Sequence, residues 1–151
     1  MRLLLIALVP LFLCACGGYE LKNLAKSDID LVTDQFIIKT REDVSELAVM
    51  LYKRNPEQLA KNPGMTIEGR LAQLKVRRYK LQFLELEYNQ GIDAMNLAFS
   101  PSFTGDRVFA LVVGLGSMLR QAYAYQPEMF LPDQLDAQVL LTSAQNVEML
   151  V

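Results

Sequence analysis

The sequence predicts an all-α protein, a single-domain helical bundle of about five to seven helices around a buried central helix at about residues 106–125. Apolar residues recur at spacings of three and four after residues that cap helix N-termini. The stretch from Val108 to Leu119 carries no charge and is apolar or small on every face, which is typical of a helix buried among others. A length of 151 residues fits one domain.

The first half of the chain predicts two longer helices and a short one. Ser27 can cap the first helix, and the acidic residues just after it suit the positive end of the helix dipole. Thr40 predicts a second start, and that helix ends at Asn55, because a residue before proline is disfavoured in the α region. Pro56 can open a short helix to about residue 61. The apolar positions after the two starts are Ile29, Val32 and Phe36, then Val44, Leu47, Ala48, Leu51 and Tyr52.

The middle of the chain leaves one alternative open. A third long helix is predicted to begin after Thr66, with a break near Tyr79. The alternating pattern at residues 81–86 permits a short strand, but helix is favoured there because Gln, Leu and Glu are good helix formers. Gly91 marks a bend, and Ile92 to Phe99 predicts a short helix.

The predicted central helix carries two glycines that favour close packing. Its uncharged run lies between Arg107 and Arg120 and is too short to span a bilayer, which needs about 20 apolar residues. Glycine inside a helix is destabilising, and close packing of neighbouring helices against Gly114 and Gly116 would offset that loss of stability. The two arginines are expected to form structural ion pairs with Asp93 or Asp106.

The last predicted helix opens at Asp133 and runs to the end of the chain. A loop at residues 123–131 precedes it, with Pro127 inside the loop and Pro132 directly after it. The final turn has no Gly or Asn cap, and Glu148 lies at the unfavourable end of the helix dipole. Truncation at the C-terminus is one interpretation of this ending.

The N-terminus has the pattern of an export signal. Arg2 precedes an apolar segment from Leu3 to Leu13, which is too short to span a bilayer. The segment ends Leu13-Cys14-Ala15-Cys16, which resembles the lipobox of bacterial lipoproteins, with Leu three places before Cys16 and a small residue just before it. The alternative is an ordinary secretory signal with an accidental cysteine.

The lipobox resemblance implies three segments: a signal peptide at 1–15, a lipidated N-terminus and short tether at 16–26, and a helical domain at 27–151. It also implies that Cys16 carries a diacylglycerol thioether and an amide-linked acyl chain, so that the protein is held at the membrane. Gly17, rather than Asp, follows the cysteine. In enteric-type sorting this favours the outer membrane, on its periplasmic side.

Composition excludes several chemistries and makes enzymatic activity unexpected. The chain has no His, so His-based triads and His-ligated metals are excluded. The lipobox resemblance further implies that Cys14 is lost and Cys16 alkylated, which would leave no thiol nucleophile. Ser117 lacks the flanking glycines and the His of a nucleophile elbow. A net charge of −2 argues against nucleic-acid binding. We therefore expect no catalytic, cofactor-binding or metal-binding residues.

Two groups of side chains are candidates for binding. A basic cluster is interpreted as a solvated helix face, with lipid phosphates or an acidic partner as the alternative. An aromatic segment forms a candidate surface for an envelope protein partner, because aromatics and Met are enriched at interfaces. Its alternative role is to fold back and plug the end of the bundle. The cluster is Arg70, Lys75, Arg77, Arg78 and Lys80, and the candidate surface is Tyr123, Tyr125, Met129 and Phe130.

Three stretches of the mature chain resemble a family of uncharacterised proteobacterial lipoproteins: Asn62 to Thr66, Gly105 to Leu111 and Ser143 to Glu148. The resemblance implies no activity. The expected function is therefore that of a lipid-anchored cell-envelope protein with a binding or assembly role. One alternative is a helical domain that binds a small molecule or lipid in a pocket beside the central helix. Another is an envelope hydrolase that works through paired carboxylates.

Overall fold

The computed structural model describes residues 21–75 and 80–149, and this part of the chain is all-α, as predicted. It contains six α-helices and no strand. We number the helices α1 (Asp28–Arg54), α2 (Pro56–Ala60), α3 (Ile67–Leu74), α4 (Gly91–Phe99), α5 (Arg107–Ala122) and α6 (Ala137–Glu148). Two 3-10 helices lie at Leu21–Ala25 and Leu84–Leu86. Within these ranges, no helix is both long enough and apolar enough to cross a membrane.

One continuous helix, α1, replaces the two helices predicted between residues 27 and 55. Ser27 and Asp30 form a capping box at its start, as the sequence predicts for Ser27. Thr40 begins no helix, because its hydroxyl donates to the carbonyl of Phe36 at 2.8 Å inside the existing one. The apolar face predicted after Ser27 is also wrong, because its three side chains are exposed and do not point into the core. These are Ile29, Val32 and Phe36.

The centre of the bundle is α5, which confirms the predicted buried helix. The Asp106 side chain caps it by accepting the N–H of Phe109 at 2.9 Å. Its closest neighbour is α4, and a Cβ on Gly114 would lie 2.5 Å from Cγ of Met95 and 2.7 Å from the carbonyl oxygen of Gly91. Close packing at Gly114 is therefore confirmed.

The segment between α3 and α4 is mostly irregular, so the helix favoured for residues 81–86 is wrong, as is the alternative strand. Leu81 and Leu86 are buried, and Leu86 is the last residue of the 3-10 turn. Glu87 and Tyr88 then take positive φ angles of 52° and 60°, which no helix continues through. The third helix ends at Leu74, and the break predicted near Tyr79 lies outside the described residues.

The described part of the predicted tether, residues 21–26, is folded against the domain. The carbonyl of Ala25 accepts the N–H of Leu131 at 3.1 Å. The Lys26 ammonium, 2% exposed, forms ion pairs with Asp34 and with Glu128. Ordered structure therefore begins before the predicted boundary at 27. At the other end, α6 begins at Ala137 after its cap Asp136, later than the predicted start at Asp133.

Replacing Gly114 with Ala is expected to lower the free energy of unfolding by about 1–3 kcal/mol, because the new methyl group meets backbone atoms that cannot move aside. Gly116→Ala is the matched control on the same helix. A Cβ there lies 3.3 Å from the tip of Leu81, which can shift, so helix propensity should hold the change within about 1 kcal/mol. Urea unfolding of both variants measures their free energies of unfolding. Equal losses in the two variants would contradict the close packing at Gly114.

Candidate functional site

The four residues of the candidate partner surface differ in how exposed their side chains are. Met129 is buried at 2% exposure, and its N–H donates to the Asp34 carboxylate at 2.7 Å. Tyr123, Tyr125 and Phe130 are partly exposed. The Lys26 ammonium lies 4.6 Å from the centre of the Phe130 ring, and the Lys80 ammonium lies 5.5 Å from that of Tyr125. Met129 thus adds no accessible side chain to the surface, and the partner role of the other three stays a prediction.

The lipidation residue Cys16 lies outside the described residues. Of the basic cluster, Arg77 and Arg78 lie outside them as well, while Lys75 and Lys80 are exposed. Arg70 is different: its side chain is fully buried. The interpretation of the cluster as a solvated face is therefore wrong for Arg70.

Arg70 is the centre of a charge cluster in which Arg70, Asp106 and Tyr52 are buried and Glu85 is exposed. Its guanidinium donates to both oxygens of Glu85, at 2.6 and 2.8 Å, in a bidentate pair. It also donates to Asp106 at 3.2 Å and lies 3.8 Å above the ring of Phe109. The Tyr52 hydroxyl donates to the same oxygen of Asp106 at 2.8 Å. These contacts join α1, α3, the 3-10 turn at 84–86 and the start of α5.

The cluster shifts the pKa values of Tyr52 and Arg70. Burial, followed by the charge of Asp106, raises the pKa of the Tyr52 hydroxyl above its ordinary value, so it stays protonated and donates. Burial alone would lower the pKa of Arg70, but the hydrogen bonds and charge of Glu85, with the charge of Asp106, raise it. Each group bonds to at least one other: Glu85 and Asp106 accept from Arg70, and Tyr52 donates to Asp106.

A groove lies between α1 and α5, and we call it the α1–α5 groove. Its volume is about 520 Å³, within the range of sites that hold drug-sized molecules. The end of α3 and the start of the segment after residue 80 close its sides. Its apolar wall is formed by Ile37, Ile38, Val44, Leu74, Leu81 and Leu119.

The groove has polar side chains as well as an apolar wall. Arg41, Lys75 and Arg120 contribute basic groups, and Glu42 and Glu46 contribute acidic ones. Tyr123, from the candidate partner surface, also lines it. Gly116 faces the groove, whereas the other glycine of α5, Gly114, faces α4. The pocket beside the central helix therefore lies on its Gly116 side.

Ser117 and Arg107 are also engaged in structural bonds. The Ser117 hydroxyl accepts the N–H of Gly91 at 2.7 Å and donates to the carbonyl of Val113 at 2.6 Å, which ties α4 to α5. Arg107 donates to backbone carbonyls, including that of Ser100 at 2.8 Å, instead of to the carboxylate predicted for it. Among residues 21–75 and 80–149, no group of three or more carboxylates, Cys or His could hold a metal ion.

Sequence reasoning missed both the charge cluster and the groove. Arg70 stands in a run of basic residues, and its partners Glu85 and Asp106 lie 15 and 36 positions away. One signal was available: Arg70 falls three residues after Ile67 and four before Leu74, on the apolar face of its helix. The groove joins residues from both halves of the chain, so no local pattern indicates it.

No family model, curated protein or solved structure matches this chain. The resemblance to uncharacterised lipoproteins therefore stays a prediction, and the function is argued from the geometry.

Replacing Arg70 with Met is expected to lower the free energy of unfolding by about 3–5 kcal/mol, because Asp106 stays buried without its counter-charge. Lys39→Met removes a comparable cation from the exposed pair with Asp43 and should leave stability nearly unchanged. Denaturant unfolding of both variants measures the difference. An Arg70→Met protein as stable as the wild type would show that the cluster does not stabilise the fold.

Proposed function

We propose that this protein is a lipid-anchored component of the cell envelope, held through Cys16 at the periplasmic face of the outer membrane, and that it binds a ligand instead of catalysing a reaction. The single observation that supports the binding role is the α1–α5 groove. An apolar wall with a few polar groups is the usual form of a site that binds small molecules. The anchor rests on the lipobox resemblance.

The packing on the two sides of α5 supports the α1–α5 groove as the binding site. The side of α5 that carries Gly114 is filled by Met95 and the backbone of α4, so no ligand fits there. On the other side, Gly116 and Leu119 line an open volume. This combination supports the reading of the chain as a small-molecule or lipid-binding helical domain. The assembly role of Tyr123, Tyr125 and Phe130 stays a prediction.

The chemistry of the described residues supports binding over hydrolysis. Glu85 is held by Arg70 in a bidentate pair, and Asp136 caps α6 by accepting the N–H of Gln138 at 2.8 Å. Asp133 likewise accepts the N–H of Phe130 at 2.9 Å. Glu85, Asp133 and Asp136 therefore have structural partners.

The anchor is tested by intact mass spectrometry of the detergent-extracted wild-type protein. We expect a mature N-terminus at Cys16 that carries a diacylglycerol and an acyl chain, because the lipobox resemblance places cleavage before Cys16. Cys16→Ser should lose both the lipids and the membrane association. Cys14→Ser is the matched control, since Cys14 leaves with the predicted signal, and it should be processed normally. An unmodified Cys16 in the wild type would contradict the anchor.

The binding site is tested by photo-crosslinking of the full-length protein in nonionic detergent with a long-chain alcohol that carries an alkyl diazirine. Labelled peptides should contain residues of the groove wall. Ser45 lies on the groove and is half-buried, so Ser45→Phe should fill it and cut labelling about tenfold, a loss of about 1.4 kcal/mol of binding. Gln35→Phe is the control, on the same helix at an exposed position outside the groove. Equal labelling of the two variants would place the ligand elsewhere.

A further inference from the structure

We propose that the protein makes a second contact with the bilayer besides its lipid: an exposed apolar row at the start of α1 lies on the membrane surface. The row is Ile29, Val32 and Phe36, and we call it the α1 apolar face. Such a contact goes beyond ligand binding in the α1–α5 groove, and it rests on the proposed anchor at Cys16.

The three side chains of the α1 apolar face form one row. Their exposed fractions are 76%, 56% and 59%, in chain order. They are spaced three and four positions apart, which places them on the same side of a helix. The core side of α1 carries other residues, among them Ile37 and Ala48. The α1 apolar face therefore points away from the core, and most of its surface is open to an external partner.

The row is apolar only in the first part of α1. Seven positions are about two helical turns, so Lys39 and Asp43 continue the row after Val32 and Phe36. Both are charged and exposed, and they pair with each other at 2.8 Å. The apolar part of the row is therefore confined to the end of the helix that is nearer to Cys16 along the chain.

The chain connects this end of the helix to the proposed anchor by a short path. Leu21 is the first described residue and lies five positions after Cys16, a reach of at most about 18 Å. A 3-10 helix then leads to α1, and the carbonyl of Ala25 at its end accepts the N–H of Leu131. Leu24 and Leu131 are themselves 71% and 63% exposed. Exposed apolar side chains thus lie at the end of the domain that the anchor would hold.

A bilayer surface suits a face of this size and charge. Apolar side chains on one side of a helix insert at the boundary between lipid head groups and acyl chains. Three side chains are few for a stable protein–protein interface, which buries about 1,600 Å² in total. The acyl chains on Cys16 would already supply the membrane affinity, so a small face is sufficient to orient the domain. Because the face carries no charge, the contact needs no anionic lipid.

The contact is tested with the lipidated full-length protein in phosphatidylcholine vesicles, with a polarity-sensitive fluorophore on Ile29→Cys. Ile38→Cys is the matched control, because Ile38 is also exposed and lies nine positions later, on the opposite side of the same helix. We expect emission from position 29 to shift to shorter wavelengths, and to be lost when the lipid carries a nitroxide near its head group. Emission from position 38 should change little.

A second set of variants tests whether the α1 apolar face causes the contact. Val32→Ser with Phe36→Ser, added to Ile29→Cys, should abolish quenching by the nitroxide lipid, because the rest of the face is then polar. Ile92→Ser with Phe99→Ser is the control, since it removes another exposed apolar pair, on α4, and should leave the quenching unchanged.

The outcomes separate this contact from the anchor. Equal quenching at positions 29 and 38, or quenching that survives the change of Val32 and Phe36, would overturn the contact and leave the anchor standing. A shift to shorter wavelengths at position 29 without quenching by lipid would assign the face to a second copy of the chain and would also overturn it. If the fluorophore labels Cys16 of the wild type, and the protein does not stay with the vesicles, the proposed anchor fails and the contact fails with it.

Discussion

The arrangement of the helices depends on the bonds that the buried guanidinium of Arg70 makes. It brings together α3, the turn that carries Glu85, and Asp106, the residue that caps the central helix. Because Tyr52 bonds to the same carboxylate, the end of α1 is fixed as well. A buried carboxylate needs its counter-charge and hydrogen bonds, so these four parts of the chain are held together as one unit.

The short helix α3 connects this cluster to the groove. Arg70 lies in its first half, and Leu74, its last residue, contributes a side chain to the groove and a carbonyl to Arg120. Four residues of helix cover about 6 Å, so the position of Leu74 follows closely from that of Arg70. The charge cluster therefore determines where one wall of the proposed binding site stands.

Local chemistry in the sequence was sufficient for several helix starts and for one packing contact. Ser27, Thr66 and Asp106 all precede helices in the structure, and Gly114 is packed as expected. What failed depended on tertiary contacts. Thr40 is a residue type that often caps a helix N-terminus. Its hydroxyl can also bond to a carbonyl one turn earlier in the same helix, so Thr is compatible with a helix interior as well. Met is a residue type that is enriched at interfaces, but Met129 is buried, and its N–H bonds to Asp34, 95 positions away along the chain.

The attachment of residues 21–26 to the domain limits how far the protein could move from the proposed anchor. With the proposed lipid on Cys16, the chain between the anchor and Leu21 reaches at most about 18 Å when fully extended. The folded part is then confined to a thin layer next to the bilayer, where it meets molecules that diffuse in the membrane in two dimensions. Confinement raises the effective concentration of such molecules, so a groove of modest affinity would be occupied by ligands that leave the bilayer surface beside it.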